Sequence, residues 1–141
     1  MLDKNTFFDS YTRIFGEELK VDATGNRFLE EFYRCFIASS EEVAAVFQNT
    51  DMEHQRKMLK NSLFYGINFL EDIHYFEALH RIAVSHSKKR YNIKPELYDL
   101  WLDCMVETVQ KFDPEFSDDV ELSWRLAFSQ TITYMKFMYT R

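Results

Sequence analysis

The sequence predicts an all-α fold in one domain, residues 1–141, on three observations. Only 3 Gly and 2 Pro punctuate 141 residues, too few for the many turns of a sheet protein. Apolar residues recur three and four positions apart through most of the chain, the repeat of a helix with one buried face. Finally, 14 Phe, 8 Tyr, 6 Met and 2 Trp supply bulky side chains for a substantial core at a length that suits a single domain.

Taken in order, Phe7, Tyr11 and Ile14 mark a first helix that ends near Gly16, and Phe28, Phe32, Tyr33 and Phe36 mark a second that begins after Asp22. Ser39-x-x-Glu42 and Thr50-x-x-Glu53 are capping-box patterns, so two further helices are predicted to start there. The first of these is short and carries Val43, Val46 and Phe47. The second runs to about Leu70, with Gln55, Leu59, Leu63, Ile67 and Leu70 on one inward stripe. A fifth helix places Leu79, Ile82, Ala83 and His86 at i, i+3, i+4 and i+7, hence on one face. Lys94-Pro95-Glu96 opens a sixth with proline in its first turn; Leu97, Trp101, Cys104, Met105, Thr108 and Phe112 form its apolar side, and Asp113-Pro114 closes it. Asp118 and Asp119 favour the start of a last helix lined by Val120, Trp124, Ala127, Phe128, Thr131, Met135 and Met138.

Composition narrows the function classes. A net charge of -6 with acidic groups spread along the chain argues against a nucleic-acid surface and against attraction to anionic lipid. No window is long and apolar enough to span a bilayer, and Met1-Leu2-Asp3-Lys4 does not open a basic and apolar leader, so a cytoplasmic location without a membrane partner is expected. Cys35 and Cys104 lack CxxC spacing and read as small buried hydrophobes rather than a disulfide or zinc site. A glycine-rich phosphate loop, a GxSxG elbow, an HExxH pair and a carboxylate cluster are all missing from the sequence.

His86 is the residue that asks for an explanation, because an apolar stripe carries its imidazole inward and a buried polar ring needs a partner. One nitrogen could bind a metal while the other donates to the Ile82 carbonyl or to Ser85, both close in sequence. A core histidine satisfied by a hydrogen bond alone is the commoner outcome for such a stripe. His74 and His80 fall at solvated positions.

The succession of elements, a very short helix ending in Phe47, a long helix carrying Gln55, a helix ending at His86 and two aromatic-rich helices, resembles a globin over nearly the whole chain. It is similar above all to single-domain bacterial globins and the globin domain of flavohaemoglobins. Ala83-Val84-Ser85-His86 followed by Asn92-Ile93-Lys94-Pro95-Glu96-Leu97-Tyr98 resembles their proximal histidine and the start of the next helix. Tyr33 precedes Phe47 by fourteen residues, the interval such proteins keep between a distal residue and the phenylalanine on the haem plane, and Gln55-Arg56-Lys57-Met58-Leu59 resembles the distal glutamine and pocket leucine. The resemblance implies about seven to eight helices around haem b (iron protoporphyrin IX), with His86 as the metal ligand. It further implies Phe47, Leu59, Ile82 and Tyr98 against the cofactor and Tyr33 and Gln55 on the gas-binding side. His54 is a rival distal ligand, but it stands about 140° from Leu59 around an ideal helix, which favours Gln55.

The departures carry expectations too. The chain between Phe47 and Gln55 is shorter than in the flavohaemoglobin domains, and the loop after His86 is slightly longer. Tyr98 matches a proximal tyrosine of that family, while the glutamate expected in the last helix falls near Tyr139. The resemblance implies reversible binding of a diatomic gas (dioxygen, nitric oxide or carbon monoxide), for transport or scavenging, more than enzymatic turnover. The alternatives are nitric oxide dioxygenation or a peroxidase-like reaction, and a gas sensor. Since no flavin- or nicotinamide-binding segment follows within the sequence, turnover would need a separate reductase. A homo-oligomer is left open.

Overall fold

The computed structural model describes residues 2–16, 23–68 and 72–141, and these contain seven α-helices and no strand. They are α1 (Lys4–Phe15), α2 (Ala23–Ala38), α3 (Glu41–Val46), α4 (Met52–Asn68), α5 (Ile73–His86), α6 (Glu96–Phe112) and α7 (Asp118–Met138). Asp22 and Leu70, named above as a helix start and an inward residue, lie outside the described residues. Among the described residues no helix is long and apolar enough to cross a membrane.

Local chemistry explains where the helices begin and end. Asp3 accepts from the N–H groups of Asn5 and Thr6 at 2.8 and 3.1 Å to cap α1, and Gly16 ends it at φ 82°, a left-handed value that a glycine adopts freely. Two predicted caps shift by one residue. Ser39 donates its hydroxyl back to the Phe36 carbonyl at 2.6 Å, finishing α2, so the neighbouring Ser40 caps α3 by accepting from the Glu42 N–H at 3.1 Å. Asp51, not Thr50, caps α4, because its carboxylate accepts from the Glu53 and His54 N–H groups at 3.1 and 3.4 Å. Ser117 caps α7 one residue before the aspartates that complement its dipole.

Packing gathers the aromatic residues of α1, α2, α6 and α7 into one core, in which Trp124, Phe28 and Phe32 are 0% exposed. Phe7 meets Trp124 edge-on at 4.8 Å and Phe28 meets Phe15 edge-on at 5.1 Å, an arrangement that adds roughly 0.5–1.5 kcal/mol per pair beyond area burial. The Trp124 indole N–H needs an acceptor in so dry a place and donates to Ser10 Oγ at 2.9 Å. Ser10 in turn donates to Asp113 at 2.6 Å, and Arg13 grips both carboxylate oxygens of Asp113 at 2.6 and 2.9 Å. Burial alone would raise the Asp113 pKa, but Arg13, Ser10 and the Glu115 N–H together hold it below the ordinary aspartate value.

Four side chains differ from the sequence reading or add to it. Val46 is 42% exposed, since a helix of six residues turns just one residue, Val43, fully inward. Lys60 is buried, its ammonium lying over the Tyr11 and Phe15 rings at 4.7 and 4.5 Å and bonded to the Tyr11 hydroxyl. Cys104 is buried as expected and Cys35 only half-buried, and both are free thiols; α2 lies along α6, and this brings their sulfurs to 2.7 Å. Spacing in the chain said nothing about which helices would pair.

A second, smaller cluster of Leu79, Ala83 and Met135 seats α5 on α7, with Tyr98 packed against both this cluster and the main core. α4 approaches α7 at Gly66, whose carbonyl accepts from Thr131 Oγ1 at 2.5 Å. A Cβ at this glycine would lie 3.2 Å from the same hydroxyl oxygen.

Candidate functional site

His86 is the last residue of α5, delivered inward by the Leu79 and Ala83 face that packs on α7. Its Nδ1 lies 2.7 Å from the Ile82 carbonyl oxygen and 3.0 Å from Ser85 Oγ. The carbonyl can only accept, so the ring proton sits on Nδ1. Ser85 donates its own hydroxyl proton to the same carbonyl at 2.7 Å and is free to accept from the ring. This leaves Nε2 as an unprotonated lone pair, with no hydrogen bond to it among the described residues. Burial pushes the His86 pKa down, and the Ile82 bond only partly offsets it, so the ring is neutral near pH 7.

The loop after His86 is tied down on both sides. The Tyr91 and Ile93 N–H groups donate to the Ser85 and His86 carbonyls, each at 3.0 Å, and Asn92 adopts φ 55°, a left-handed conformation asparagine tolerates better than most residues. Tyr139, just beyond α7, donates its hydroxyl to Asn92 Oδ1 at 2.6 Å while its carbonyl accepts from the Lys88 N–H at 2.9 Å. Tyr139 therefore braces the loop and does not hydrogen-bond His86. Tyr91 stands edge-on to the His86 ring at 6.1 Å, a neighbour that no sequence signal pointed to.

Across the fold, α2, α3 and α4 bring Tyr33, Phe47 and Gln55 together. Gln55 Nε2 donates to the Tyr33 hydroxyl oxygen at 3.1 Å, and the Tyr33 ring meets the Phe47 ring edge-on at 5.5 Å. Because the Tyr33 oxygen accepts from Gln55, its own proton is left over, and no donation by it occurs among the described residues. Burial pushes the Tyr33 pKa up to about 12, against smaller opposing effects of Gln55 and Arg56, so the hydroxyl keeps that proton. Leu59 is buried one turn beyond Gln55, and His54 is exposed. Ile82 and Tyr98 are half-buried, and burial raises the Tyr98 pKa. His74 and His80 are exposed, with His80 Nδ1 at 2.6 Å from the Tyr134 hydroxyl. No hydrogen bond or ring contact among the described residues joins the Tyr33 set to His86.

A single neutral imidazole nitrogen, on a ring oriented by the Ile82 carbonyl at its other nitrogen, is the donor that haem iron takes, and a buried tyrosine with an uncommitted proton suits a polar ligand opposite it. The residues present fit the cofactor. Comparison with known proteins agrees: the globin family model matches residues 29–135. A Pseudomonas aeruginosa protein, whose crystal structure is described as structurally highly homologous to a human haemoglobin, is 29% identical to this chain. That similarity covers 97% of this chain and 98% of the other, with a TM-score of 0.81. No curated protein matches. The chain belongs to the globin family, a family of haem-binding proteins.

Proposed function

We propose that this globin holds haem b on His86 and reversibly binds a diatomic gas, dioxygen foremost, beside Tyr33 and Gln55. The observation that carries the reading is the 2.7 Å approach of His86 Nδ1 to the Ile82 carbonyl: it commits the Nδ1 proton there and leaves the Nε2 lone pair free to ligate. When bound, haem supplies an iron with one further coordination position for a small ligand. Phe47, Leu59, Ile82 and Tyr98 would hold the macrocycle by apolar contact and keep water away. Tyr33 has a proton to give, and the Gln55 amide has a second N–H, so the two can donate to a ligand that gathers partial negative charge.

An absorption spectrum of the freshly purified protein tests the reading. A Soret band that shifts on reduction and again with carbon monoxide is expected. No such band after reconstitution with hemin would remove the proposal. His86→Ala is expected to lose stable haem, and a variant with normal haem content and an unaltered ferrous carbon monoxide spectrum would overturn the assignment of His86. Tyr139 turns its hydroxyl to Asn92, and among the described residues the partners of His86 Nδ1 are the Ile82 carbonyl and the Ser85 hydroxyl and not a carboxylate, which weighs against a peroxidase-like reaction. Nitric oxide dioxygenation would draw electrons from a reductase.

A further inference from the structure

Away from that site, α2 and α6 hold the two cysteines of the chain with their sulfurs 2.7 Å apart, although 69 positions separate them in sequence. Cys104 is buried; Cys35 is half-buried, and its thiol also donates to Glu107 Oε2 at 3.3 Å. These three side chains are also donors of the kind a zinc ion takes. Two sulfurs on one tetrahedral zinc, each about 2.3 Å from the ion, stand well beyond 2.7 Å from each other. A sulfur–sulfur bond of about 2.0 Å is reached from the present separation by a small side-chain movement. Burial keeps both groups as neutral thiols, which removes the repulsion that two thiolates would suffer at this distance.

We propose that Cys35 and Cys104 are a redox-active dithiol that closes into an intramolecular disulfide between α2 and α6 by exchange with a small-molecule disulfide. Cys35 Sγ, the more reachable sulfur, attacks one sulfur of the small disulfide as its minor thiolate form, which burial and Glu107 keep scarce and the exchange therefore slow, its proton passing through solvent to the departing sulfur. A mixed disulfide forms, the small disulfide bond breaks, and half of the reagent leaves as a thiol carrying that proton. Cys104 Sγ then attacks Cys35 Sγ, the internal bond forms, and the second half leaves as a thiol with the Cys104 proton. Two electrons and two protons pass from the protein to the reagent, and nothing else is consumed.

The test equilibrates the haem-loaded protein in glutathione buffers of graded redox ratio, quenches with acid, alkylates and measures the intact mass. Both sulfurs are expected to lose their label together, without a glutathione adduct at the oxidised plateau. The oxidised protein should melt roughly 10 °C higher than the reduced one, because the cross-link closes a long loop of the unfolded chain. Cys104→Ser should trap glutathione on Cys35 in a chain whose circular dichroism is unchanged, and Cys35→Ser should abolish the redox-dependent melting shift. Retention of both labels at every ratio, or a persistent adduct in the unsubstituted protein, overturns the proposal. Stoichiometric zinc that protects both thiols while no internal bond forms under oxidation overturns it in favour of a metal site.

Discussion

The surroundings of Trp124 and the surroundings of Tyr33 and His86 are built to opposite specifications. Around Trp124 the large rings are sealed from solvent, and the polar chain through Ser10, Asp113 and Arg13 gives each buried group a partner. Around Tyr33 and His86, Gln55, Phe47, Ile82, Tyr98 and His86 itself are half-buried, and the hydrogen bonds end with a proton left on Tyr33 and a lone pair left on His86. The first region has spent its bonding capacity internally and so stabilises the fold. The second has some in reserve, and reserve is what a ligand can use.

Substitutions can break that division or sharpen it. The largest loss of stability is expected from Trp124→Ala, about 4 kcal/mol, because a fully buried ring is removed and Ser10 loses its donor. Urea unfolding measures it, and a loss under about 1 kcal/mol would mean that the core is elsewhere. Next comes Asp113→Asn, expected to cost about 3 kcal/mol by leaving Arg13 without its carboxylate. It should also flatten the acid limb of the stability curve. The native carboxyl is depressed, so its contribution is present above the unfolded aspartate pKa and is lost as pH falls through the lower native value. An acid limb as steep in the variant as in the parent would place the acid sensitivity on other groups.

On the other side of the comparison, Tyr33→Phe and Gln55→Leu should each cost only about 1 kcal/mol of stability, from the bond between them, and speed dioxygen release. A hydrogen bond to a charged acceptor is worth roughly 1.5–3 kcal/mol, hence a tenfold or larger change in release. Carbon monoxide, which gathers less charge, should respond much less in stopped-flow measurements; equal effects on both gases would indicate a steric role. If Trp124→Ala altered gas release as strongly as Tyr33→Phe, the two regions would not be independent. The smallest effect is expected from Tyr139→Phe, about 1 kcal/mol of stability from the lost bond to Asn92, with peroxide turnover unchanged. A large rise or fall in that turnover would show that Tyr139 acts on His86 after all.

The helices were legible because their apolar residues repeat at three and four over several turns, as in Val120, Trp124, Phe128 and Met135, all of which are buried. Where caps slipped, two adjacent residues could each serve, as in Ser39 with Ser40 and Thr50 with Asp51. The proximity of Ser85 and Ile82 to His86 was legible too, since partners one and four residues away on a helix are fixed by its geometry. What escaped was tertiary. Ser10, Asp113 and Trp124 come from three distant stretches, and so do Lys60 beneath Tyr11 and Cys35 beside Cys104. No local pattern encodes such meetings.

The close passage of α4 over α7 at Gly66 bears on a quantity that neither helix sets alone. α5 also rests on α7, through Leu79, Ala83 and Met135. The helix carrying Gln55 and the helix carrying His86 thus share α7 as a common support while also touching each other directly, with Tyr75 of α5 edge-on to Phe64 of α4 at 5.3 Å. The tolerance of that support is the clearance over Gly66, where even one methyl group would have to displace the Thr131 hydroxyl by a few tenths of an ångström. Displacement of α4 toward α7 is therefore opposed at Gly66, a point on the helix eleven positions beyond Gln55.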